Sequence, residues 1–136
     1  MLLADVAALR PDLLGLQEVV YPMQQDRLLA AGSPDDYGIY RGWAGRPEYG
    51  NSLLVRAPLE ADGMERLDLG HRRSAHRVVV TVPGGGSLLL AVTHLHHRVP
   101  DAAIRDEQAG AIVTWLDAAG ASDAQVVVGD FNADPE

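Results

Sequence analysis

Apolar runs alternate with polar, turn-forming segments along the whole chain, and their spacing predicts helices and strands in alternation. Residues 1–10 are rich in Leu and Ala and are followed by Pro11, a pattern typical of the end of a helix. A second, short helix is predicted at residues 22–30. A third is predicted from Asp101, a residue type that caps helices, to about Ala119.

The segments between these helices have the lengths and compositions of strands. The first and the last, residues 12–18 and 125–129, contain the apolar runs Leu13-Leu14-Gly15-Leu16 and Val126-Val127-Val128, and continuous apolar runs of this kind are typical of strands that are covered on both faces. Together with the helices, they predict an α/β fold around mixed sheets. The remaining strands are predicted at residues 37–43, 51–56, 59–69 (irregular), 77–82 and 87–94, of which the last two form a hairpin.

The composition is that of an ordinary globular domain. The chain has 136 residues, of which 47% are hydrophobic and 22% are charged, and these values fit one domain with one core. It has no cysteine, which excludes disulfides, thiolate metal sites and a cysteine nucleophile. The sequence has neither a signal-peptide pattern nor an apolar run near the ~20 residues of a membrane span, so a soluble, cytoplasmic protein is predicted.

The formal net charge of −8 argues against a broad cationic face of the kind that grips duplex nucleic acid. It argues only weakly against a nuclease, because a bound divalent cation can supply the positive charge where a phosphate lies. Part of the acidity can itself be metal-binding carboxylate.

Three predicted strands end in polar side chains, at Glu18, His94 and Asp130. A carboxylate beside a buried strand is costly unless it is paired or metal-bound, so three such ends indicate a shared polar site. Glu18 is a hard oxygen ligand of the kind that Mg²⁺ or Mn²⁺ prefers. Taken alone, Glu18 is more easily explained as a cap or an ion-pair partner of the helix that follows.

The segment Gly129-Asp130-Phe131-Asn132 carries the most information. Gly129 allows the backbone to come close to another group. Asp130 and Asn132 are two residues apart, so on extended backbone they point the same way. There a carboxylate and an amide could hold a nucleophilic water and a phosphate oxygen side by side. An Asx-rich turn after a strand explains the same residues.

Three histidines, His94, His96 and His97, fall within four residues, which favours a polar or metal site over a purely structural role. The segment is also similar to the Thr-His-x-His-x-Asp-His run with which metallo-β-lactamase-like hydrolases bind zinc. Arg98 and Val99 stand where that run requires Asp and His, which disfavours the zinc hypothesis.

Three further polar residues are candidates for other roles. Arg105 and Gln108 are three residues apart and are neighbours on one helical face, where they could support the site or form a solvated surface. Arg77 opens an apolar strand, from which it could reach a substrate phosphate. An ion pair with an acidic neighbour is the slightly favoured alternative for Arg77.

Four segments form a series that covers nearly the whole chain, and they are far more specific together than singly. They are Asp-Leu-Leu-Gly-Leu-Gln-Glu-Val at residues 12–19, Gly-Asn-Ser-Leu-Leu-Val-Arg-Ala-Pro-Leu at 50–59, Thr-His-Leu at 93–95 with the later pair Arg105 and Gln108, and Gly-Asp-Phe-Asn at 129–132. This series resembles the motifs of the endonuclease/exonuclease/phosphatase superfamily, whose fold is that of DNase I.

The resemblance implies an α/β fold, a DNase I-like sandwich of two mixed β-sheets flanked by helices. It also implies hydrolysis of a phosphodiester or phosphomonoester by an activated water, with Mg²⁺ or Mn²⁺ as the cofactor. In the implied site Glu18 binds the metal, Asp130 orients or activates the water and Asn132 holds a phosphate oxygen. His94 contacts the phosphate or assists the leaving group. The implied substrate is a nucleic acid, a phospholipid head group or a nucleotide.

The resemblance further implies that residues 1–136 form a single partial domain. The first strand of the superfamily, with its Asn near the metal, and its later Ser-Asp-His segment have no counterpart here. We therefore expect a phosphoesterase in the full-length form, and a piece that by itself aggregates or oligomerises through an exposed sheet face. The alternative is a non-catalytic interaction module that keeps the fold.

Overall fold

The computed structural model describes residues 2–33, 35–98 and 100–133, with side chains from Ala4 onward. Sequence interpretations that rest on Pro34, Val99 or residues 134–136 lie outside this range. Within it the elements, in chain order, are α1 (Leu2–Leu9), β1 (Leu13–Val20), α2 (Gln25–Ala31), β2 (Tyr37–Arg46), β3 (Tyr49–Arg56), β4 (Glu60–Asp68), β5 (Ser74–Thr81), β6 (Ser87–His94), α3 (Ala102–Asp117) and β7 (Ala124–Asp130), with a short 3₁₀ helix at Tyr21–Met23. None of the α-helices in these ranges is long and apolar enough to cross a membrane.

The strands form two sheets. The first has the order β1-β3-β2 and is antiparallel. The second has the order β4-β5-β6-β7, in which β7 runs parallel to β6 and the other neighbours are antiparallel. The predicted α/β fold with two sheets is confirmed, and of the two sheets only the second is mixed among the residues described.

The two sheets pack face to face, and helices cover their outer faces. In β3, Leu53 and Val55 point into the sandwich, whereas Leu54 points toward the cluster that contains residues of α1 and α2. β3 thus lies between two apolar layers, which explains its continuous apolar run Leu53-Leu54-Val55. The buried core of the sandwich consists of Leu53, Val55, Val78, Val80, Leu90 and Val92, and the layer between the second sheet and α3 consists of Leu69, Ala75, Leu89, Ala91, Leu95, Ile112 and Leu116.

Two predictions are wrong: the loop between β2 and β3, and the cover of β7 on both faces. The loop predicted at residues 44–50 is mostly strand, because β2 and β3 extend until only Pro47 and Glu48 separate them. β7 is apolar but lies at the outer edge of its sheet, where Val126 keeps 40% of its surface exposed. Local composition reports neither how far a hairpin extends nor which strand lies at an edge.

A buried ion pair joins α2 to the first sheet. Asp26 on α2 is fully buried, and Arg41 on β2 donates to both of its carboxylate oxygens, over 2.8 and 2.6 Å. The Ser52 hydroxyl on β3 and the backbone N–H of Arg27 also donate to this carboxylate, over 2.7 and 2.8 Å. Burial raises the pKa of Asp26, but these donors outweigh burial and hold it below its ordinary value.

His76 lies between the sheets, on β5, and is fully buried against Gly42 of β2. A Cβ atom on Gly42 would lie 2.1 Å from Nδ1 of His76, so only glycine leaves room for the ring. Neither ring nitrogen makes a hydrogen bond of normal geometry with the residues described. Burial lowers the pKa of His76 to about 4, and a weak interaction with the Tyr40 backbone offsets this only slightly.

Asp26→Ala should lower the free energy of unfolding by about 3 kcal/mol, because it leaves the guanidinium of Arg41 without its partner. This loss is at the lower end of the range for breaking a buried ion pair, because Arg41 keeps 28% of its side chain exposed. Urea unfolding followed by circular dichroism measures the loss. The double variant Asp26→Leu/Arg41→Met leaves no unpaired charge and should be more stable than Asp26→Ala. The opposite order of stability would contradict this account of the pair.

The protein should lose stability as the pH falls from about 6.5 to about 4. In the unfolded chain His76 takes up a proton near its ordinary pKa of 6.5, whereas in the folded chain it resists protonation until about pH 4. Protons therefore favour the unfolded state in this window. Neutral His76 contributes about 3 kcal/mol to the free energy of unfolding, and this contribution is fully present above pH 6.5 and lost by pH 4.

Chemical unfolding of the wild type and of His76→Leu, at pH 7 and at pH 4.5, measures this contribution. The leucine variant should lose less stability than the wild type over that interval. His71→Leu, which removes an exposed histidine, is the matched control and should behave like the wild type. Equal losses in the wild type and His76→Leu would show that His76 is not the titrating group.

Candidate active site

The ends of β6 and β7 lie side by side in the second sheet. Their parallel register pairs His94 with Asp130, and Nε2 of His94 lies 3.7 Å from Oδ2 of Asp130. His94 is buried, whereas the side chain of Asp130 keeps 51% of its surface exposed. The pair thus has one protected member and one that a ligand can reach.

A glycine permits this close approach of the two strands. A Cβ atom on Gly129 would lie 2.2 Å from the carbonyl oxygen of Thr93, which no real side chain could tolerate. The prediction that Gly129 brings the backbone close to another group is confirmed. Asp130, the next residue, therefore leaves β7 at a position set by the backbone of β6.

A second glycine permits close approach between the two sheets. Gly15 on β1 faces the second sheet, where a Cβ atom would lie 2.6 Å from Cγ2 of Val128 and 3.2 Å from Cγ2 of Val92. Valine side chains are stiff, so they could not easily move aside. Gly15 therefore lets β1 lie close to β6 and β7, three residues before Glu18.

Glu18 lies in a β-bulge of the first sheet. The register between β1 and β3 shifts between Leu16 and Val19, and Glu18 has left-handed backbone with a φ of 59°. Bulges redirect side chains and are common beside active sites. A non-glycine residue at positive φ costs about 1–3 kcal/mol, which the surrounding structure must offset. The bulge turns an exposed carboxylate away from the regular alternation of the strand.

The negative charge of Glu18 acts on side chains from both sheets. Burial raises the pKa of Tyr49 on β3, and the charge of Glu18 raises it further. The charges of Asp130 and Glu18 both oppose the lowering of the His94 pKa. His94 lies beside Asp130, and the charge of Glu18 acts on His94; these three residues are here called the strand-end cluster.

Arg73 completes the strand-end cluster, although no sequence motif singles it out. Its Nη1 lies 3.0 Å from Nδ1 of His94, and its Nη2 lies 3.0 Å from Nδ1 of His97. Burial lowers the pKa of His94, and the positive charge of Arg73 lowers it further. The sole sequence signal for Arg73 is the basic run His71-Arg72-Arg73, which lies in a turn before β5.

Asn132 forms the turn that follows Asp130. Its backbone N–H donates to Oδ1 of Asp130 over 2.9 Å, and its side-chain amide donates to the carbonyl of Leu95 over 2.9 Å. The Asx turn that the sequence offered as an alternative is thus present, and it holds Asn132 beside the strand-end cluster. Asp130 and Asn132, together with Arg105, line a cavity of about 510 Å³.

Gln108 supports the segment that follows β6. It is buried on α3, where its side-chain oxygen accepts from the backbone N–H of His96 over 2.9 Å and its amide donates to the carbonyl of Leu69 over 3.1 Å. Nε2 of His96 in turn lies 2.9 Å from Oδ2 of Asp101. The side chain of Asp101 therefore does not cap α3 as predicted. Its carboxylate contacts His96 instead of the backbone N–H groups at the start of α3.

Arg77 is not brought to the strand-end cluster. It lies within β5 rather than at its start, on the helix-covered face of the second sheet. Its Nη2 contacts Oε2 of Glu65 over 2.7 Å, its guanidinium lies 4.1 Å from the ring centre of Trp115, and it donates to the Trp115 carbonyl. These contacts correspond to the ion-pair alternative rather than to a bond with a substrate phosphate.

The donor set fits an open Mg²⁺ site better than a closed zinc site. Among the residues described, no three His, Asp or Glu side chains are grouped as ligands of one metal ion. A structural zinc site needs four protein ligands and a catalytic one about three, so the zinc hypothesis gains no support. Mg²⁺ usually keeps several waters and needs only one or two carboxylates together with substrate phosphates. Glu18 is an exposed carboxylate of the kind that such a site uses.

Several solved structures resemble the chain in fold. The human Nocturnin catalytic domain with bound sulfate is 21% identical over 98% of this chain and 55% of its own, with a TM-score of 0.81. A humanized D. rerio TDP2 is 20% identical over 98% of this chain and 54% of its own, with a TM-score of 0.78. ANGEL2, a 2′,3′-cyclic phosphatase, is 15% identical over 98% of this chain and 42% of its own, with a TM-score of 0.85. The chain thus spans about half the length of these proteins.

Identities this low establish the fold alone. Among curated proteins, none matches the chain in sequence. A family model does match, over residues 1–136, and it agrees with the motif series read from the sequence. The chain belongs to the endonuclease/exonuclease/phosphatase family.

Proposed function

We propose that this chain carries part of a metal-dependent phosphoesterase site, which hydrolyses a phosphodiester or phosphomonoester with an activated water. The observation that supports this most is the strand-end cluster, in which His94 and Asp130 of the second sheet lie side by side and the charge of Glu18 from the first sheet acts on His94. Family membership supports phosphate-ester hydrolysis in general. The alternative, a non-catalytic interaction module, gives the cluster no task.

His94 is suited to donate a hydrogen bond to the phosphate. Arginine donates hydrogen bonds but cannot accept them, so the contact with Arg73 requires Nδ1 of His94 to accept. The single proton of the neutral ring then lies on Nε2, the nitrogen that faces Asp130. From there it can be donated to a phosphate oxygen or to the oxygen of the leaving group.

Asp130 is suited to orient the attacking water. Its Oδ1 already accepts from the backbone of Asn132, and its Oδ2 lies on the side of His94. A half-exposed carboxylate held in this way can accept a hydrogen bond from water and draw off its proton. Asn132 uses one amide N–H to hold Leu95, which leaves a second N–H for a phosphate oxygen.

Glu18 is suited to hold Mg²⁺ or Mn²⁺ through its exposed carboxylate. When bound, such an ion polarises the phosphoryl oxygens and stabilises the charge that develops on them. The burial of His94 and the fixed Arg73 beside it keep the remaining donors in place before substrate binds.

A nucleotide or nucleic acid is the favoured substrate class. A D. rerio TDP2 structure contains a single-strand DNA product, and an ANGEL2 structure contains adenosine-2′,3′-vanadate. These ligands belong to those proteins, and they support a nucleotide ester over a phospholipid head group for this one.

Glu18→Gln and Asp130→Asn should each lower kcat/KM for Mg²⁺-dependent hydrolysis of bis(p-nitrophenyl) phosphate by at least about 100-fold. The first removes the metal carboxylate and the second the proton acceptor. The release of p-nitrophenol from the substrate, catalysed by the intact protein, measures the rate. Glu60→Gln is the matched control, because it removes an exposed carboxylate at the opposite end of the second sheet. If neither variant changes the turnover of the wild type, the assigned residues are not catalytic. If the wild type shows no turnover with Mg²⁺ or Mn²⁺, the interaction module is the better explanation.

Arg73→Gln should raise the pKa of His94, because it removes the cation beside Nδ1 while burial continues to lower the value. Proton–nitrogen NMR of the imidazole ring measures the pKa and the tautomer together, and in the wild type it should place the proton on Nε2. Arg72→Gln is the control, since it removes a neighbouring charge that makes no bond to His94. A wild-type ring protonated on Nδ1 would contradict the assigned donor.

A further inference from the structure

A second cavity, of about 450 Å³, adjoins the strand-end cluster and is lined by cations. Its charged and aromatic lining consists of Arg46, Tyr49, His71, Arg72, Arg73 and His97, and none of its lining residues is acidic. In a chain with 19 acidic and 11 basic residues, a cavity with three arginines and no carboxylate is a marked local reversal of charge.

These arginines lack the ion pairs with carboxylates that several other arginines of the chain form. Arg41, Arg56 and Arg77 each form an ion pair with a carboxylate. Within the ranges that the structure describes, Arg46 and Arg72 form no such pair, and the guanidinium of Arg73 makes its hydrogen bonds to His94 and His97. Their charge is therefore available to an anionic ligand.

The turn before β5 holds two of the cations in place. Gly70, His71 and Arg72 all have left-handed backbone, with φ of 69°, 50° and 59°. Hydrogen bonds from Leu69 N to Arg73 O over 3.0 Å and from Arg73 N to Gly70 O over 2.8 Å close the turn. A Cβ atom on Gly45 would lie 2.8 Å from Cβ of Arg72, so β2 lies directly against this turn. The backbone positions of two adjacent arginines are thus fixed in spite of the mutual repulsion of their side chains.

The cavity and the strand-end cluster have Arg73 in common, and Tyr49 of the cavity is influenced by the charge of Glu18. Tyr49 lines the cavity, and the charge of Glu18 helps to raise its pKa. Arg73 lines the cavity and also contacts His94. An anion bound between Arg46 and Arg72 would therefore lie next to a phosphate ester held by the cluster.

We propose that this cavity binds a second phosphate of the substrate, one that is not cleaved. The proposal rests on the phosphoesterase function proposed above, and it narrows the substrate class to nucleotide esters with at least two phosphate groups. Arginine suits this task because its planar guanidinium pairs with two phosphate oxygens at once. The excess negative charge of the chain, −8 in total, then lies on the rest of the surface and not in the cavity that binds the second phosphate.

A pair of matched substrates tests the proposal. One is the p-nitrophenyl ester of thymidine 5′-phosphate, and the other is the same ester with an added 3′-phosphate. The wild type should hydrolyse the second with a kcat/KM at least about tenfold higher, and Arg46→Gln or Arg72→Gln should remove most of that preference. Arg27→Gln, which removes an exposed arginine on α2, should keep the preference. No preference in the wild type, or a preference that all three variants keep, would overturn the proposal.

Calorimetric titration separates this proposal from the catalytic one, because it needs no turnover. Adenosine 3′,5′-bisphosphate should bind the intact protein at least about tenfold more tightly than adenosine 5′-monophosphate, and Arg72→Gln should abolish the difference. Absence of hydrolysis together with this binding pattern would overturn the phosphoesterase proposal and leave the phosphate site standing. Equal binding of both nucleotides would overturn the phosphate site, whether or not hydrolysis occurs.

Discussion

The close approach of the two sheets at Gly15 is the constraint on which the proposed site depends. Face-to-face sheets are ordinarily separated by about 10 Å, a distance set by the side chains between them. Where β1 crosses Val92 and Val128, one of those side chains is absent, and the strand that ends near Glu18 can lie close to the strands that end at His94 and Asp130. In the proposed function, a carboxylate from one sheet and an imidazole from the other act on the same phosphate.

The charged side chains of the chain divide into two groups with different consequences. Asp26 with Arg41, and Glu65 with Arg77, satisfy each other away from the strand-end cluster, and they contribute to holding helices and sheets together. Near the cluster, Arg46, Arg72 and Arg73 are not paired with carboxylates among the residues described. Arg46 and Arg72 are exposed, so water satisfies them when no ligand is bound, and together with Arg73 they present a local positive charge to an anionic ligand.

Four of the six described non-glycine residues with left-handed backbone lie in the same region, the other two being Arg10 and Gln24. Glu18, His71, Arg72 and Asn132 all have left-handed backbone although none is glycine, and each lies in or beside the strand-end cluster or the basic cavity. Such conformations persist only where surrounding contacts enforce them, and they are common at ligand-binding sites. Here the enforcing contacts are the bulge in β1, the closed turn before β5 and the Asx turn after Asp130.

The amino-acid sequence by itself determined the fold class, most helices and strands, and the candidate residues Glu18, His94, Asp130 and Asn132. It could do so because apolar runs report local burial, and because these four residues stand in short motifs at or just beyond the ends of strands. Only the tertiary structure decided that Arg73 contacts His94, that Arg77 pairs with Glu65 instead of reaching the cluster, and that the basic run before β5 lines a cavity. These pairings join residues that are 12 or more positions apart. Strand register, a one-residue bulge and the absence of a side chain at Gly15 bring such residues together, and none of these leaves a periodic signal in the chain.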